Sequence, residues 1–230
     1  MANRKRANGT LGIDIGGTKI RAVLWTSSAG LDGRRAIKAR EFRTPQTLRA
    51  FKKIIISIFK DFEAKKNGIG VPCVISGNKI LFCPNIKYLK NYDISKLFKN
   101  SKIKLDNDAR CFARAECSKS ASCLAITLGT GVGRAFAKNG KVLKIKKFEY
   151  PEKWEADYQR LRDAKNDKKL SDFLTTKISI LIKKYKPGVV VIGGGVATRK
   201  TLKLGFAYKK PFFSKNAMAI GAALLFSTPH

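Results

Sequence analysis

Three places in the sequence hold residues suited to chemistry. The first is Leu11-Gly12-Ile13-Asp14-Ile15-Gly16-Gly17-Thr18-Lys19, continuing Ile20-Arg21-Ala22-Val23-Leu24. Two β-rich runs flank a turn with a glycine pair and a threonine, the pattern of a tight hairpin. Gly16 and Gly17 let backbone N–H groups approach an anion without a Cβ in the way. Thr18 adds a hydroxyl and Lys19 a nearby positive charge. Asp14 is repulsive beside a phosphate unless a cation lies between them. The hairpin therefore suggests a Mg²⁺-phosphate site with Asp14 on the metal side. The spacing is not that of a P-loop, and no helix follows. An ordinary hairpin turn is the alternative. The second place is Asn107-Asp108, at a helix start in mid-chain. The third is Gly129-Thr130-Gly131-Val132-Gly133, after an apolar strand, with Gly193-Gly194-Gly195 following a later one. In that order, two Gly/Thr turns could grip a polyphosphate from both sides of a cleft. Asp108 would sit between the lobes, and the late glycine turn would carry a base and ribose.

The elements that must position these groups follow from periodicity. Residues 36–42 read as a third strand. Residues 44–66 read as a long amphipathic helix with Leu48, Phe51, Ile55, Ile58, Phe59 and Phe62 on one stripe, Thr44 or Gln46 near its start and Pro45 in its first turn. Strands are expected at 68–75, 80–83 and 103–105, and a short helix at 94–98. Asp106-Asn107-Asp108 opens a helix running to about Cys117, because Asp and Asn cap well and an acidic first turn suits the macrodipole. Residues 121–128, 134–137 and 142–145 read as strands, the last two joined at Asn139-Gly140. This repeats the opening pattern and suggests two related lobes. Residues 149–160 turn into a helix, and 170–186 form another, ended by Pro187-Gly188. A strand at 189–192, a helix from about Val196 and a final helix at 216–226 complete the chain.

The composition narrows the class. The 230 residues, 44% hydrophobic, suffice for one large domain or two small lobes. There are 48 Lys and Arg against 16 Asp and Glu, a formal charge of +32. That charge makes nonspecific contact with nucleic acid or other polyanions expected. The lysines are scattered, without the aromatic interleaving of a single-strand groove or a base-reading helix motif. Five cysteines show no Cys-x-x-Cys pair, and His230 is the only histidine. Neither a zinc site nor a disulfide scaffold is expected, and free thiols fit a reducing cytoplasm. The basic residues 1–6 lead into no apolar signal core, because Asp14 interrupts it. Residues 217–226 fall short of the roughly 20 needed to span a membrane, so no membrane partner is expected.

With these residues in hand, the sequence resembles the ROK sugar kinases (repressor, open reading frame, kinase) of the actin-like, ribonuclease-H-like ATPase superfamily. The matching residues are Gly12 to Lys19, Gly70-Val71-Pro72, Pro84-Asn85, Asn107-Asp108-Ala109, Leu128 to Gly133, Gly193-Gly194-Gly195-Val196 and Ile220-Gly221-Ala222-Ala223. They occur in the family's order along nearly the whole chain. The resemblance implies an α/β, two-lobed actin-like ATPase fold with the nucleotide in the cleft. An N-terminal lobe of residues 1–107, completed by the C-terminal helix at 216–230, would face a second lobe of 108–215. It implies ATP and Mg²⁺, with Asp14 holding the metal through water. Gly16, Gly17, Thr18, Lys19, Gly129, Thr130 and Gly131 would cradle phosphates, and Gly193, Gly194 and Gly195 would face the adenosine. Asn85, Asn107, Asp108, Glu149 and Glu155 would bind the sugar. Asp108 would also be the general base for a hexose hydroxyl, most simply turning glucose into glucose 6-phosphate.

The departures from the family pattern are as informative. The family's Glu-x-Gly-His and zinc cassette have no counterpart, so no zinc is expected. Glu149 resembles the first glutamate of that region and Trp154-Glu155-Ala156 its end, as if the cassette were deleted between them. Cys73 and Arg134 stand where glycine is common. About ten residues precede the first motif, too few for the helix-turn-helix of family repressors, and a homodimer is compatible with the resemblance. A kinase for N-acetylmannosamine, N-acetylglucosamine or fructose, a catalytically weak sugar or nucleotide sensor, and a nucleic-acid-binding protein are the competing readings.

Overall fold

The computed structural model describes residues 9–26, 38–98 and 101–227. The basic residues 1–6, the first two residues of the strand expected at 36–42 and the last three of the C-terminal segment lie outside them. The chain opens with β1 (Thr10–Ile15), β2 (Lys19–Trp25), β3 (Lys38–Arg43), α1 (Leu48–Phe62), β4 (Lys66–Val71), β5 (Val74–Ser76), β6 (Lys79–Phe82) and β7 (Lys102–Asn107). It continues with α2 (Asp108–Glu116), β8 (Ser122–Leu128), β9 (Val132–Lys138), β10 (Lys141–Leu143), α3 (Glu155–Asp163), α4 (Asp167–Tyr185), β11 (Val189–Gly193) and α5 (Ala217–Ala223).

The repeat legible in the sequence is a repeat of topology. One sheet runs β3-β2-β1-β4-β7 and the other β10-β9-β8-β11. In each, the first strand of the unit pairs antiparallel with the next and parallel with a later one. This is the two-lobed actin-like ATPase fold. Strand alternation decides which layer each side chain joins. On β8, Cys123 and Ala125 join the core around α2 and α5, while Leu124, Ile126 and Leu128 join the core under α3 and α4. On β1, Leu11, Ile13 and Ile15 face the core that holds Phe51, Ile55 and Ile58 of α1. Among the described residues, no helix is long and apolar enough to cross a membrane.

Helix α5 packs against β1, β2, β4 and α2. Its sequence Ala-Met-Ala-Ile-Gly-Ala-Ala is nearly free of bulk. A Cβ on Gly12 of β1 would collide with the Ala219 carbonyl, and one on Gly68 of β4 with the Ala222 carbonyl. A Cβ on Gly221 would collide with the Cys111 carbonyl of α2. Backbone meets backbone at all three places.

Several expectations are corrected. Helix α1 starts at Leu48 with Thr47 as its cap, not near Thr44. Thr44 is committed elsewhere, its hydroxyl donating to the Gly16 carbonyl at 2.6 Å. The segment from Glu149 becomes helical only at Glu155, after a short 3-10 turn at Lys146–Glu149. After Gly195 there is a single 3-10 turn, Val196–Thr198, in place of a helix. Gly194 has φ +95°, and the chain beyond returns along β11, where the Ile192 N–H donates to the Lys209 carbonyl at 3.0 Å and the Lys209 N–H to the Val190 carbonyl at 2.8 Å. The cysteines also differ from expectation: Cys73 pairs with Cys83 and Cys117 with Cys123, leaving Cys111 as a buried free thiol. Each pair joins segments that a strand hairpin or helix end brings together, a proximity that spacing alone does not reveal.

The packing makes a direct prediction. Gly68→Ala is expected to lower unfolding stability by at least about 2 kcal/mol, because overpacking here meets backbone rather than a rotatable side chain. Chemical denaturation of the variant beside wild type measures it; an unchanged midpoint would show that α5 is free to shift.

Candidate active site

A cleft of about 220 Å³ draws its walls from both sheets. It lies at the C-terminal ends of the parallel strands, where open α/β sheets leave backbone groups free to meet a ligand. Asp14, Gly70 and Asp106 stand in one register row across β1, β4 and β7, and Gly193 is level with Thr127 across β11 and β8. The cleft brings together Asp14, Gly16, Gly17, Asn85, Asn107, Asp108, Gly129, Thr130, Gly131, Glu149, Glu155 and Gly194. Thr18, Lys19, Gly193 and Gly195 are not among its lining residues. Lys19 pairs with Glu41 of β3 at 2.7 Å, and Gly193 packs where a Cβ would meet the Phe112 ring.

Asp14, next to last in β1, is half-buried, and among the described residues its Oδ1 has no hydrogen-bond partner. Burial first, and the charge of Asp108 second, raise its carboxyl to about 8, with Arg21 acting in the opposite sense. Asp108 is the first residue of α2, and burial raises it to about 6. The Ala109 N–H, donated to its Oδ1 at 2.8 Å, and the nearby Arg110 charge limit that rise. Asn107 caps α2 with its side-chain carbonyl, accepting from Ala109 N–H at 3.1 Å and Arg110 N–H at 3.4 Å. Among the described residues its amide NH₂ has no hydrogen-bond partner, and Asn107 lines the cleft.

The two Gly/Thr turns face each other, with Thr18 Oγ1 and Thr130 Oγ1 3.5 Å apart. The first turn is tied to β3 by Thr44, whose hydroxyl takes the Gly16 carbonyl and whose N–H takes the Thr18 carbonyl at 2.9 Å. Gly17 backs onto Asn85, where an added Cβ would stand 3.1 Å from the Asn85 Cβ. The second turn closes through Gly129 N–H to the Gly131 carbonyl at 3.0 Å.

The remaining wall is the segment from Phe148 to Glu155. Buried Arg110 donates to Glu149 and, at 2.5 Å, to Asp106, which also accepts from Arg114. Glu155 Oε1 accepts the Val132 N–H at 2.9 Å, and a Cβ on Gly131 would displace that oxygen. Among the described residues, Glu155 Oε2 is buried without a partner, and burial raises the carboxyl above its usual range. Arg134, almost completely buried, holds this wall in place. It pairs with Glu152, donates to the Tyr150 carbonyl at 2.5 Å and stacks over the Phe148 ring.

Among curated proteins, none matches the sequence. The model of the ROK family matches residues 10–145. The chain belongs to the ROK family. Solved structures share the fold of this ROK protein at low identity. The inorganic polyphosphate/ATP-glucomannokinase from Arthrobacter sp. strain KM is 24% identical with a TM-score of 0.78, over 97% of this chain and 100% of that one. A ROK family glucokinase from Streptomyces griseus, solved with glucose and AMPPNP, is 17% identical with a TM-score of 0.73, over 95% and 99%. A ROK family transcriptional regulator, homologous to the E. coli MLC protein, is 16% identical with a TM-score of 0.63, over 95% of this chain and 78% of its own.

Sequence reasoning reached the carboxylates and turns of this ROK protein but missed their supports, Thr44, Arg110 and Arg134. Arg134 had a signal: a lone cation inside the apolar run of β9, which must find an acid when buried. The unpartnered Asp14 Oδ1 also fits Mg²⁺, which binds through one or two carboxylates and keeps several waters. Among the described residues, no three His, Cys, Asp or Glu side chains form a cage of their own.

The raised Asp14 carboxyl has a consequence for stability. Below about pH 4 it is protonated in folded and unfolded chains alike. Above that the unfolded chain ionises first, so metal-free stability falls as pH rises toward about 8 and then levels off. Asp14→Asn removes this loss. At pH 8 without metal the variant is expected to exceed wild type by on the order of a few kcal/mol, the gap closing toward pH 4. Thermal melts across that range measure it; parallel curves would show that Asp14 ionises normally.

Proposed function

We propose that this protein is an ATP-dependent hexose kinase that phosphorylates a sugar hydroxyl, with glucose to glucose 6-phosphate as the leading reaction. One observation carries the reading: two facing Gly/Thr turns, Asp14 with its Oδ1 unpartnered among the described residues, and a carboxylate at the start of α2 share one cleft. The sheets that flank it support a division into a lobe of residues 1–107 completed by the C-terminal helix, and a lobe of residues 108–215. The glucokinase and glucomannokinase that share the fold support the substrate class.

In this mechanism the turns at Gly16-Gly17-Thr18 and Gly129-Thr130-Gly131 hold the phosphates of ATP through backbone N–H and hydroxyl groups. Gly194, with its neighbours Gly193 and Gly195, borders the adenosine. Asp14 would hold Mg²⁺, and the bound ion would offset phosphate charge during transfer. The Asn107 amide and the carboxylates of Glu149 and Glu155 orient the sugar with Asn85. Asp108 accepts the proton of the attacking hydroxyl. A base raised to about 6 is ionised at neutral pH yet still basic enough to take that proton. Positioning and charge neutralisation do most of the work in phosphoryl transfer. Lys19 acts only through the field it shares with Glu41. A cytoplasmic location fits ATP as donor; the two disulfides remove the free-thiol reason for it.

A second reading has an observation of its own. The wall from Phe148 to Glu155 is built around Arg134 and lacks the family's histidine, and a ROK regulator shares the fold. A sensor would bind sugar without turnover; kinases for N-acetylmannosamine, N-acetylglucosamine or fructose would differ only in the preferred acceptor.

A coupled ADP-release assay over a hexose panel separates these. Wild type is expected to release ADP in a sugar-dependent way, and Asp108→Asn to lose about 10²–10⁴-fold in kcat while retaining nucleotide binding. The wild-type kcat/KM is expected to fall about tenfold per pH unit below about pH 6. Sugar binding by calorimetry with no ADP release from any hexose would establish the sensor, and full turnover in Asp108→Asn would remove the base.

A further inference from the structure

The second Gly/Thr turn is gripped from behind by one face of α3. Glu155, Tyr158 and Arg162 recur at spacings of three and four, which places them on a single stripe. All three reach backbone groups of residues 129–132. Glu155 accepts the Val132 N–H at 2.9 Å. The hydroxyl of Tyr158, a fully buried side chain, donates to the Gly129 carbonyl at 2.9 Å. Arg162 donates to that same carbonyl at 3.2 Å and to the Thr130 carbonyl.

Arg162 is itself held. Its guanidinium pairs with Asp163 and lies over the Tyr158 ring, and its carbonyl accepts from Arg199 at 3.2 Å. Arg199 in turn pairs with Asp167 at the start of α4 at 2.7 Å. The guanidinium is thus held by Asp163 and the Tyr158 ring of α3, and the backbone that carries it is tied through Arg199 to α4.

We propose that α3 is a brace for the second turn, and that Tyr158 and Arg162 are positioning residues for the phosphoryl donor. A glycine-rich turn left alone samples many backbone states, so its N–H groups offer an anion little preorganisation. Tying two successive carbonyls to α3 fixes the planes of the Gly129 and Thr130 peptides. The N–H edge of the turn is then set before the donor arrives. The buried hydroxyl and the guanidinium reach the turn from behind, so their effect on the donor runs through the backbone. The ligand in this inference, a nucleoside triphosphate, rests on the kinase reading; the brace itself does not.

Hydrogen exchange of the amides of residues 129–132 reads the brace directly, and calorimetry with Mg-AMPPNP reads its consequence. Arg162→Ala is expected to exchange these amides about tenfold faster and to bind AMPPNP about tenfold more weakly, as loss of a charge-assisted hydrogen bond implies. The sugar KM should stay within about twofold of wild type, since the acceptor wall is held by Arg134. Arg162→Lys is expected to recover part of both losses, and Arg160→Ala, an exposed neighbour on the same helix, neither. Tyr158→Phe removes one oxygen from a filled site and carries the test if Arg162→Ala does not fold. Wild-type exchange rates in both Arg162→Ala and Tyr158→Phe would overturn the brace. So would weaker AMPPNP binding with an unchanged turn, which would make Arg162 a direct ligand contact. If wild type turns over no hexose, the kinase reading fails, and the exchange rates still decide the brace.

Discussion

Everything in the cleft depends on how closely α5 approaches its neighbours. Gly12, Gly68 and Gly221 allow backbone-to-backbone contact with β1, β4 and α2. A side chain at any of them would move α5 outward and carry α2 with it. Because Asp14 lies near the end of β1 and Asp108 begins α2, that movement would change the spacing of the two carboxylates. The small residues of α5 are thus tied to chemistry through geometry: they fix how near two acids stand in a site that raises both their pKa values.

The cleft follows a common plan on its two sides. Each Gly/Thr turn is mobile by composition and is made rigid by groups behind it. Thr44 serves the first turn, and α3 serves the second. The acceptor wall is held in the same way, by buried arginines on α2 and β9. This gives the scarce acids of a chain of charge +32 their placement. Asp106, Glu149 and Glu152 neutralise Arg110 and Arg134, which would be costly to bury unpaired. Among the described residues, Asp14 Oδ1 and Glu155 Oε2 are left without partners, and both residues line the cleft.

Much of this was legible in the sequence, for physical reasons. The stripe of α1 and the alternation of β8 are local periodicities, so burial could be read from spacing. The repeated strand, turn, strand pattern gave the two sheets because hairpins are encoded locally. Asn107-Asp108 announced its helix because a cap is a contact between near neighbours. What escaped was nonlocal or backbone-specific. Thr44 looked like a cap until the turn at Gly16 claimed its hydroxyl. The helix expected after Gly195 gave way to an extended return, since pairing along β11 outweighs weak propensity beside three glycines. The pairings Cys73–Cys83 and Cys117–Cys123 needed the strand hairpin and helix end that join them. Arg134 looked like an exception to a glycine position and is instead the residue that organises the wall from Phe148 to Glu155.

The central claim is that Asp14 and Asp108 divide the work of one cleft, the first toward the metal and the second toward the acceptor hydroxyl. The most direct measurement is a crystal structure grown with AMPPNP, Mn²⁺ and glucose, with anomalous scattering used to locate the metal. The account predicts a Mn²⁺ peak linked to Asp14 directly or through one water, and a glucose hydroxyl hydrogen-bonded to the Asp108 carboxylate. A metal remote from Asp14, or a glucose whose hydroxyls all avoid Asp108, would contradict it.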